Sequence, residues 1–354
     1  MATTATVLQD LRANYPSLLD RHELRPSFYG LLDMAIRNTT DPRGIISADV
    51  LQKSLISWGR NVDIPVMTPS AAANGTGLAC TFTGTEAISA IVNATYVTVS
   101  NGFEMMPALN YQNEIKYAQE FARKYTDCMR KIALSIDGAI YTAINTVRTP
   151  AAQYASSYVG VGNRYTFTAD AMNVLLANYG DFFNDVPDIM AADDIYPQFD
   201  VILSTNGRSI VSKLFAQGEA NSANTQYAFT NGDFDFSYSN RVTVSAASNA
   251  TGFITPKGAF GIVSKNSPDC LAGNVTSGGH KFGTLYEPML GITLDTLEFS
   301  ACGSIATETG NAADVTAVRE KYQFAAHYGI LTPYTNFATS GVASVIRKFD
   351  MKQV

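Results

Sequence analysis

Residues 64–103 read IPVMTPSAAANGTGLACTFTGTEAISAIVNATYVTVSNGF: forty positions with one formal charge, Glu86, and no lysine or arginine. Thr, Ala, Gly and Val dominate the stretch. It is too polar to cross a membrane and too β-branched for a helix. It is also too poor in large apolar side chains to build a core of its own. Such a segment is stable as an extended loop or hairpin laid against another surface, often that of a neighbouring subunit. It runs directly into a long charged helix pattern, and that junction organises the rest of the chain.

The helix pattern spans residues 112–148. Apolar or small residues recur at Ile115, Ala118, Ala122, Tyr125, Met129, Ile132, Ile136, Ala139, Ala143 and Val147, in steps of three and four that place them on one face. Glu120–Lys124 and Asp127–Lys131 add i,i+4 pairs on the other face. At 1.5 Å per residue the helix would be about 55 Å long. A coiled coil is the competing reading; the Ala-rich seam and irregular flanking charges oppose it. Ahead of the uncharged stretch lie three short helical patterns: residues 5–15, residues 26–38 with Pro26 in the first turn, and residues 47–59 with Ser47 as N-cap. Together they read as an arm draped over something larger.

Pro150 ends the long helix, and residues 165–262 read as a mixed α/β unit. Residues 171–186 and 187–193 are expected to be helical, FDVILST (199–205) a buried strand, and GRSIVSKLFAQG (207–218) an amphipathic helix. DFDFSYSNRVTVS (233–245) alternates with Phe234, Phe236, Tyr238, Val242 and Val244 on one face, as a half-buried strand should. Beyond it, residues 285–303 and 319–334 are the best long strands.

Composition narrows the function. Only 16% of the 354 residues are charged, against roughly 25% in ordinary soluble domains. Low charge suggests surface hidden in a large obligate interface, with a secreted β-rich monomer as the other reading. A net charge of −6 opposes sequence-specific nucleic-acid binding. No apolar run approaches a membrane span, and the first residues do not read as a signal peptide. Cys80, Cys128, Cys270 and Cys302 are widely spaced and read as free, mostly buried thiols of a protein made in a reducing cytoplasm. The sequons at Asn38 and Asn93 read as accidents of a Thr-rich chain.

The residue spacings carry no recognisable catalytic or metal-binding motif. His22, His280 and His327 are isolated, with no zinc spacing among histidines or cysteines. GNVTSGGHKFG (273–283) has glycines at the phosphate-loop gap but Gly279 and His280 where Lys and Ser/Thr are required, so it reads as a glycine turn. Asp181, Asp185, Asp188, Asp193, Asp194 and Asp200 form an acidic tract without calcium-loop spacing, and read as a solvated face or a pore lining. No cofactor is expected.

The order of parts resembles the major capsid protein of tailed bacteriophages, of the Hong Kong 97 phage type. Two phrases add to it: ITPKGAFGIVSK (254–265), similar to the family's strand-turn segment, and REKYQFAAHYGILTPYTNFA (319–338), similar to its closing strand. The resemblance implies an α+β capsid fold. Its parts would be an N-terminal arm (1–59), an E-loop hairpin (60–104), a P domain (105–159) with spine helix 112–148, an inserted A domain (160–285), and P-domain closing strands with the C-terminus (286–354). It further implies a non-enzymatic shell protein of the virion, assembled in the host cytoplasm as pentamers and hexamers of an icosahedral or prolate head. Separate scaffolding, portal and cement proteins are implied as partners, as is enclosed double-stranded DNA bound without sequence specificity. The family's type member forms a covalent link through an E-loop lysine. Residues 61–104 contain none here, so no such link is expected. Interface residues are expected at Ile64, Val66, Phe82, Ile91, Tyr96 and Val99 in the loop and at Leu8, Leu11 and Trp58 in the arm. The rival readings are an encapsulin-like nanocompartment, a tail-associated or carbohydrate-binding β-protein, and an enzyme using the acidic tract.

Overall fold

The computed structural model describes residues 8, 13, 29–40, 61–67, 89–107, 117–148, 164–168, 170–192, 195, 198–220, 234–288, 290–304, 316–332 and 344–353. In chain order these form α1 (Gly30–Thr40), β1 (Asn61–Met67), β2 (Ser89–Met105), α2 (Tyr117–Val147), β3 (Tyr165–Phe167), β4 (Met172–Val174), a 3-10 turn (Leu176–Asn178), α3 (Tyr179–Ala191), β5 (Phe199–Ser204), α4 (Gly207–Ala220), β6 (Phe234–Ser239), β7 (Ser248–Pro256), β8 (Gly261–Lys265), α5 (Pro268–Ala272), β9 (Lys281–Glu287), β10 (Ile292–Ser304), β11 (Thr316–Leu331) and β12 (Arg347–Lys352). The expected helix at 47–59 lies outside the described residues, as do Cys80 and the side chain of Cys302.

Two sheets share the molecule. The first has the order β1-β2-β11-β10-β9, with β8 also pairing β11. β11 is its axis: β2 runs antiparallel along one edge, from Glu320↔Met105 to Gly329↔Tyr96, while β10 and then β8 pair the other edge. Alternate residues of β11 point to one side, where Tyr322, Phe324, Ala326 and Tyr328 are buried. There they meet the first half of α2. Phe121 packs edge-on against Phe103 and Tyr322, with ring centroids 5.3 and 5.2 Å apart, and Tyr125 packs against Phe324 at 5.2 Å.

The second sheet has the order β3-β4-β12-β7-β5-β6. One face carries Phe199, Val201, Leu203, Phe234, Phe236 and Phe349. The aromatic pair Phe182 and Phe183 of α3 lies on it, with Phe182 4.8 Å from Phe349 and Phe183 5.2 Å from Phe236. The opposite face carries Asp200, Ile202, Ser237, Ser239 and Phe253. α1 and the second half of α2 cover that side, Tyr141 meeting Phe253 at 6.1 Å. The long helix therefore lies on the first sheet with one half and on the second with the other.

This division of labour alters the buried stripe of α2. Ala122, Tyr125, Met129, Ile132 and Ile136 are buried as the spacing implied. Beyond Ile136 the buried residues are Asp137, Ile140 and Ile144, whereas Ala139, Ala143 and Val147 are half-buried. The stripe rotates because the partner changes. Glu120–Lys124 and Asp127–Lys131 pair at 2.5 and 2.7 Å, as the i,i+4 spacing implied.

Three strand and helix assignments are corrected. Residues 285–303 form a hairpin of β9 and β10 instead of one strand, because Pro288 cannot donate to a ladder and Gly291 turns the chain at φ 63°. Residues 171–186 begin as β4, which pairs parallel to β12, before α3 starts at Tyr179. β6 ends at Ser239, so Val242 and Val244 lie beyond the strand, though Val242 is still buried. Its serine face is buried too, because Ser237 and Ser239 find polar partners in α1 and α2. Finally, the boundary at residue 285 does not separate the sheets. β8 precedes it and β9 spans it, yet both belong to the first sheet, while β12 follows it and sits in the centre of the second. Only long-range pairing decides where a six-residue strand such as RKFDMK goes.

FDVILS, the helix from Gly207 and the long strand through Tyr328 form as the patterns implied. Residues 254–265 are a strand, a turn at Gly258 (φ 83°) and a strand. The glycine run ahead of β9 is a turn, with Gly279 at φ 82°.

Candidate functional site: the two-part strand and its hairpin

β2 is a single 17-residue strand with two partners. Its second part pairs β11 and lies in the body of the molecule. Its first part pairs only β1, in register from Asn61↔Thr95 to Met67↔Ser89. The uncharged stretch thus contributes both limbs of an antiparallel ladder. Val/Thr/Ile alternation suits it to a strand, and Pro65 is tolerated because β1 ends the sheet order. Where β2 leaves the ladder with β1, its residues are open: Thr95, Val97, Thr98 and Ser100 are exposed, Val97 at 51%. Further along, Phe103 is half-buried and Met105 fully buried beneath α2.

The expected interface residues fall in three groups. Ile64, Val66 and Ile91 lie on the hairpin strands, opposite Val92, Ala90 and Pro65 respectively. Tyr96 and Val99 are half-buried within their own chain. The Lys265 ammonium sits 4.1 Å over the Tyr96 ring, and Gly329 of β11 pairs with both Tyr96 and Val263. Leu8 is corrected: it is fully buried in the chain's own core and is not a surface contact. A lone leucine in a short helical pattern carries no mark of which surface it covers. Phe82, Leu11 and Trp58 lie outside the described residues.

The polar clusters act as struts. On the far face of the first sheet, Thr98, His327 and Asp295 form a row across β2, β11 and β10. His327 Nδ1 is 2.7 Å from Thr98 Oγ1, and Nε2 is 3.1 Å from Asp295 Oδ2. Asp295 also accepts hydrogen bonds from Asn266 Nδ2 (2.7 Å) and the Ser267 amide (2.9 Å), tying the end of β8 to β10. Burial pushes the Asp295 pKa up, but the hydrogen bonds from His327, Ser267 and Asn266 outweigh it, so the carboxyl titrates below its usual range. β11 is paired on both edges at His327, so its backbone amide there is committed to the sheet.

The acidic tract divides. Arg164 lies 3.2 Å from Asp181 and 3.4 Å from Asp185, and Tyr165 donates to Asp185 at 2.7 Å. Asp188 is exposed, and Asp193 and Asp194 lie outside the described residues. Asp200 does not belong to an acidic face: it is 1% exposed on β5 beneath α1 and accepts a hydrogen bond from Asn38 at 2.8 Å. A strand residue's neighbours in space come from other strands, so proximity in sequence to five aspartates misled. Asn38 is itself buried, which leaves no room for a glycan there. An open cleft of about 720 Å³ lies between the start of α3 and α4, lined by Leu176, Tyr179, Asp181, Asn206, Lys213 and Asn249 among others. Among the described residues no group of three His, Cys, Asp or Glu could hold a metal ion, and no helix is long and apolar enough to cross a membrane. Cys128 and Cys270 are free and buried, and burial pushes the Cys128 thiol up to about 12.

No family model matches the chain, and no curated protein matches it. Among solved structures it is similar to the asymmetric unit of the cyanophage Pam1 capsid, with 10% identity, 95% of this chain and 94% of that one covered, and a TM-score of 0.47. It is also similar to the asymmetric unit of the bacteriophage PhiM1 mature capsid, with 10% identity, 84% and 83% covered, and a TM-score of 0.44. A third is a structure of Mycobacterium phage Bobi, with 14% identity, 89% and 95% covered, and a TM-score of 0.43.

Proposed function

We propose that the chain is a shell subunit: a structural protein that self-assembles, as pentamers and hexamers, into an icosahedral or prolate head enclosing phage DNA. The observation that carries this reading is β2, one strand shared between the body and a hairpin whose sequence cannot form a core. A strand built this way transmits load from the body to whatever the hairpin rests on. In a closed shell that support is the next subunit, and many modest contacts per copy sum to a stable assembly. The β1–β2 hairpin serves as the E-loop and α2 as the spine. The first sheet with the first half of α2 serves as the P domain, and the second sheet, including β12, as the A domain. An encapsulin-like compartment uses the same physics and differs in its cargo.

Sedimentation of the expressed chain, alone or with its scaffold, tests the reading. Particles in the megadalton range are expected from a 38.1 kDa subunit, and sedimentation only as a monomer or trimer counts against it. In a denaturing gel the particles are expected to give one band at subunit mass. A ladder of linked subunits would refute the expectation drawn from the missing lysines.

A further inference from the structure

Besides its buried apolar side chains, α1 makes a set of polar contacts, several of them buried, to parts of the molecule far from it in sequence. At its start, the Leu31 and Leu32 amides donate to Asp137 Oδ1 of α2 at 3.1 and 3.0 Å. Asp137 is 1% exposed, and its other oxygen accepts from Ser239 of β6 at 2.6 Å. A carboxylate of one helix thus caps the N-terminus of another, where free amides and the helix dipole favour negative charge. At the other end, Asn38 donates to Asp200 of β5 at 2.8 Å, Arg37 donates to Ser237 of β6 at 3.0 Å, and Thr39 Oγ1 lies 2.9 Å from the Ile262 amide and 3.1 Å from its carbonyl oxygen. The apolar residues between, Leu31, Leu32, Met34 and Ala35, are wholly buried. α1 therefore joins the long helix, the second sheet and, through β8, the first sheet.

We propose that α1 is an acid-tightened clasp: protonation of the buried carboxyl of Asp200, under Asn38, fastens the helix to the second sheet, and ionisation of that carboxyl loosens it. The groups facing Asp200 are Arg37 and Asn38 of α1, Asp235 of β6, Lys257 in the turn between β7 and β8, and Thr255 opposite it on β7. Lys257 lies 2.6 Å from Asp235, and Arg37 lies 3.3 Å from Asp33 and 3.7 Å from Asp235, so among the described residues Asp200 has one hydrogen-bond donor and no ion pair within 4 Å. Burial raises its pKa from 3.8 to about 6, with Asn38 lowering and Asp235 raising it. Asp137 is likewise raised by burial, against the hydrogen bonds from Ser239, Leu32 and Leu31 and the charge of Arg241. The sign follows. A carboxyl that binds its proton more tightly when docked favours the docked state as pH falls, and this gain is lost as pH rises through about 6.

Hydrogen exchange of the α1 amides in the full-length chain, corrected for intrinsic exchange rates, reads this directly. From pH 7.5 to pH 5, protection of residues 31–38 is expected to rise about tenfold through Asp200. Asp200→Asn keeps the shape and the acceptor for Asn38, and is expected to show the higher protection at both pH values. Asn38→Ala leaves Asp200 in place without its donor, and is expected to keep the pH step at lower protection. Protection that does not change with pH in the unaltered chain, or an undiminished step in Asp200→Asn, would overturn the clasp. Should Asp200→Asn fail to fold, loss of the step in the unaltered chain would still refute it.

Discussion

At the scale of the residue, Gly30 and Gly138 are opposed cases, and their contrast is testable. A Cβ on Gly30 would lie 2.3 Å from the Tyr238 carbonyl oxygen, which is backbone and cannot swing aside. Gly30→Ala is expected to cost about 1–3 kcal/mol by overpacking α1 against β6. A Cβ on Gly138, inside α2, would meet nothing within 4 Å. Gly138→Ala is expected to stabilise by about 0.5–1 kcal/mol, because alanine loses less backbone entropy in a helix. Denaturant midpoints at constant slope separate the two. Neither role was legible from sequence, since a glycine's neighbours are set by the fold. Asp137 left a faint signal: it is a charge amid Ala133, Ile136, Ile140 and Ile144, in a helix whose other charges face away. A charge inside an apolar stripe points to a buried hydrogen-bonding role.

At the scale of the element, α2 was the most readable part of the chain and β12 the least. A run of 31 helical residues carries its own periodicity, so its existence, its ion pairs and half its buried face followed from spacing alone. The rotation of that face beyond Ile136 did not, because it reflects a change of sheet. Phe121→Ala is expected to destabilise the chain by about 3–5 kcal/mol, since its ring lies wholly buried among Phe103, Tyr125 and Tyr322. Lys131→Ala removes an ion pair whose partners are both more than half exposed, and is expected to change the midpoint little. Equal effects from the two would mean that the helix is packed the other way round. The hairpin was legible in outline: a single charge, many β-branched residues and few large apolar side chains indicated an extended segment. The same features say nothing about which surface it rests on.

At the scale of the whole molecule, the chain crosses between its sheets repeatedly. Residues 61–105 open the first, 165–256 build most of the second, 261–331 return to the first, and 347–352 close the second. The family resemblance implied an inserted unit over residues 160–285; β12, beyond that range, pairs with β4 and β7 of the second sheet. At the root of the hairpin, β2 is paired with β11 but leaves Thr95, Val97, Thr98 and Ser100 exposed. Val97→Asp is expected to leave the unassembled subunit's thermal midpoint unchanged, because the side chain is 51% exposed, while sharply lowering the yield of particles. The most direct measurement is a cryo-electron microscopy reconstruction of assembled particles that traces residues 61–67 and 89–95. A closed shell with these strands laid across a neighbouring subunit is the expected result. Discrete monomers under every assembly condition, or a hairpin folded back onto its own subunit, would contradict it.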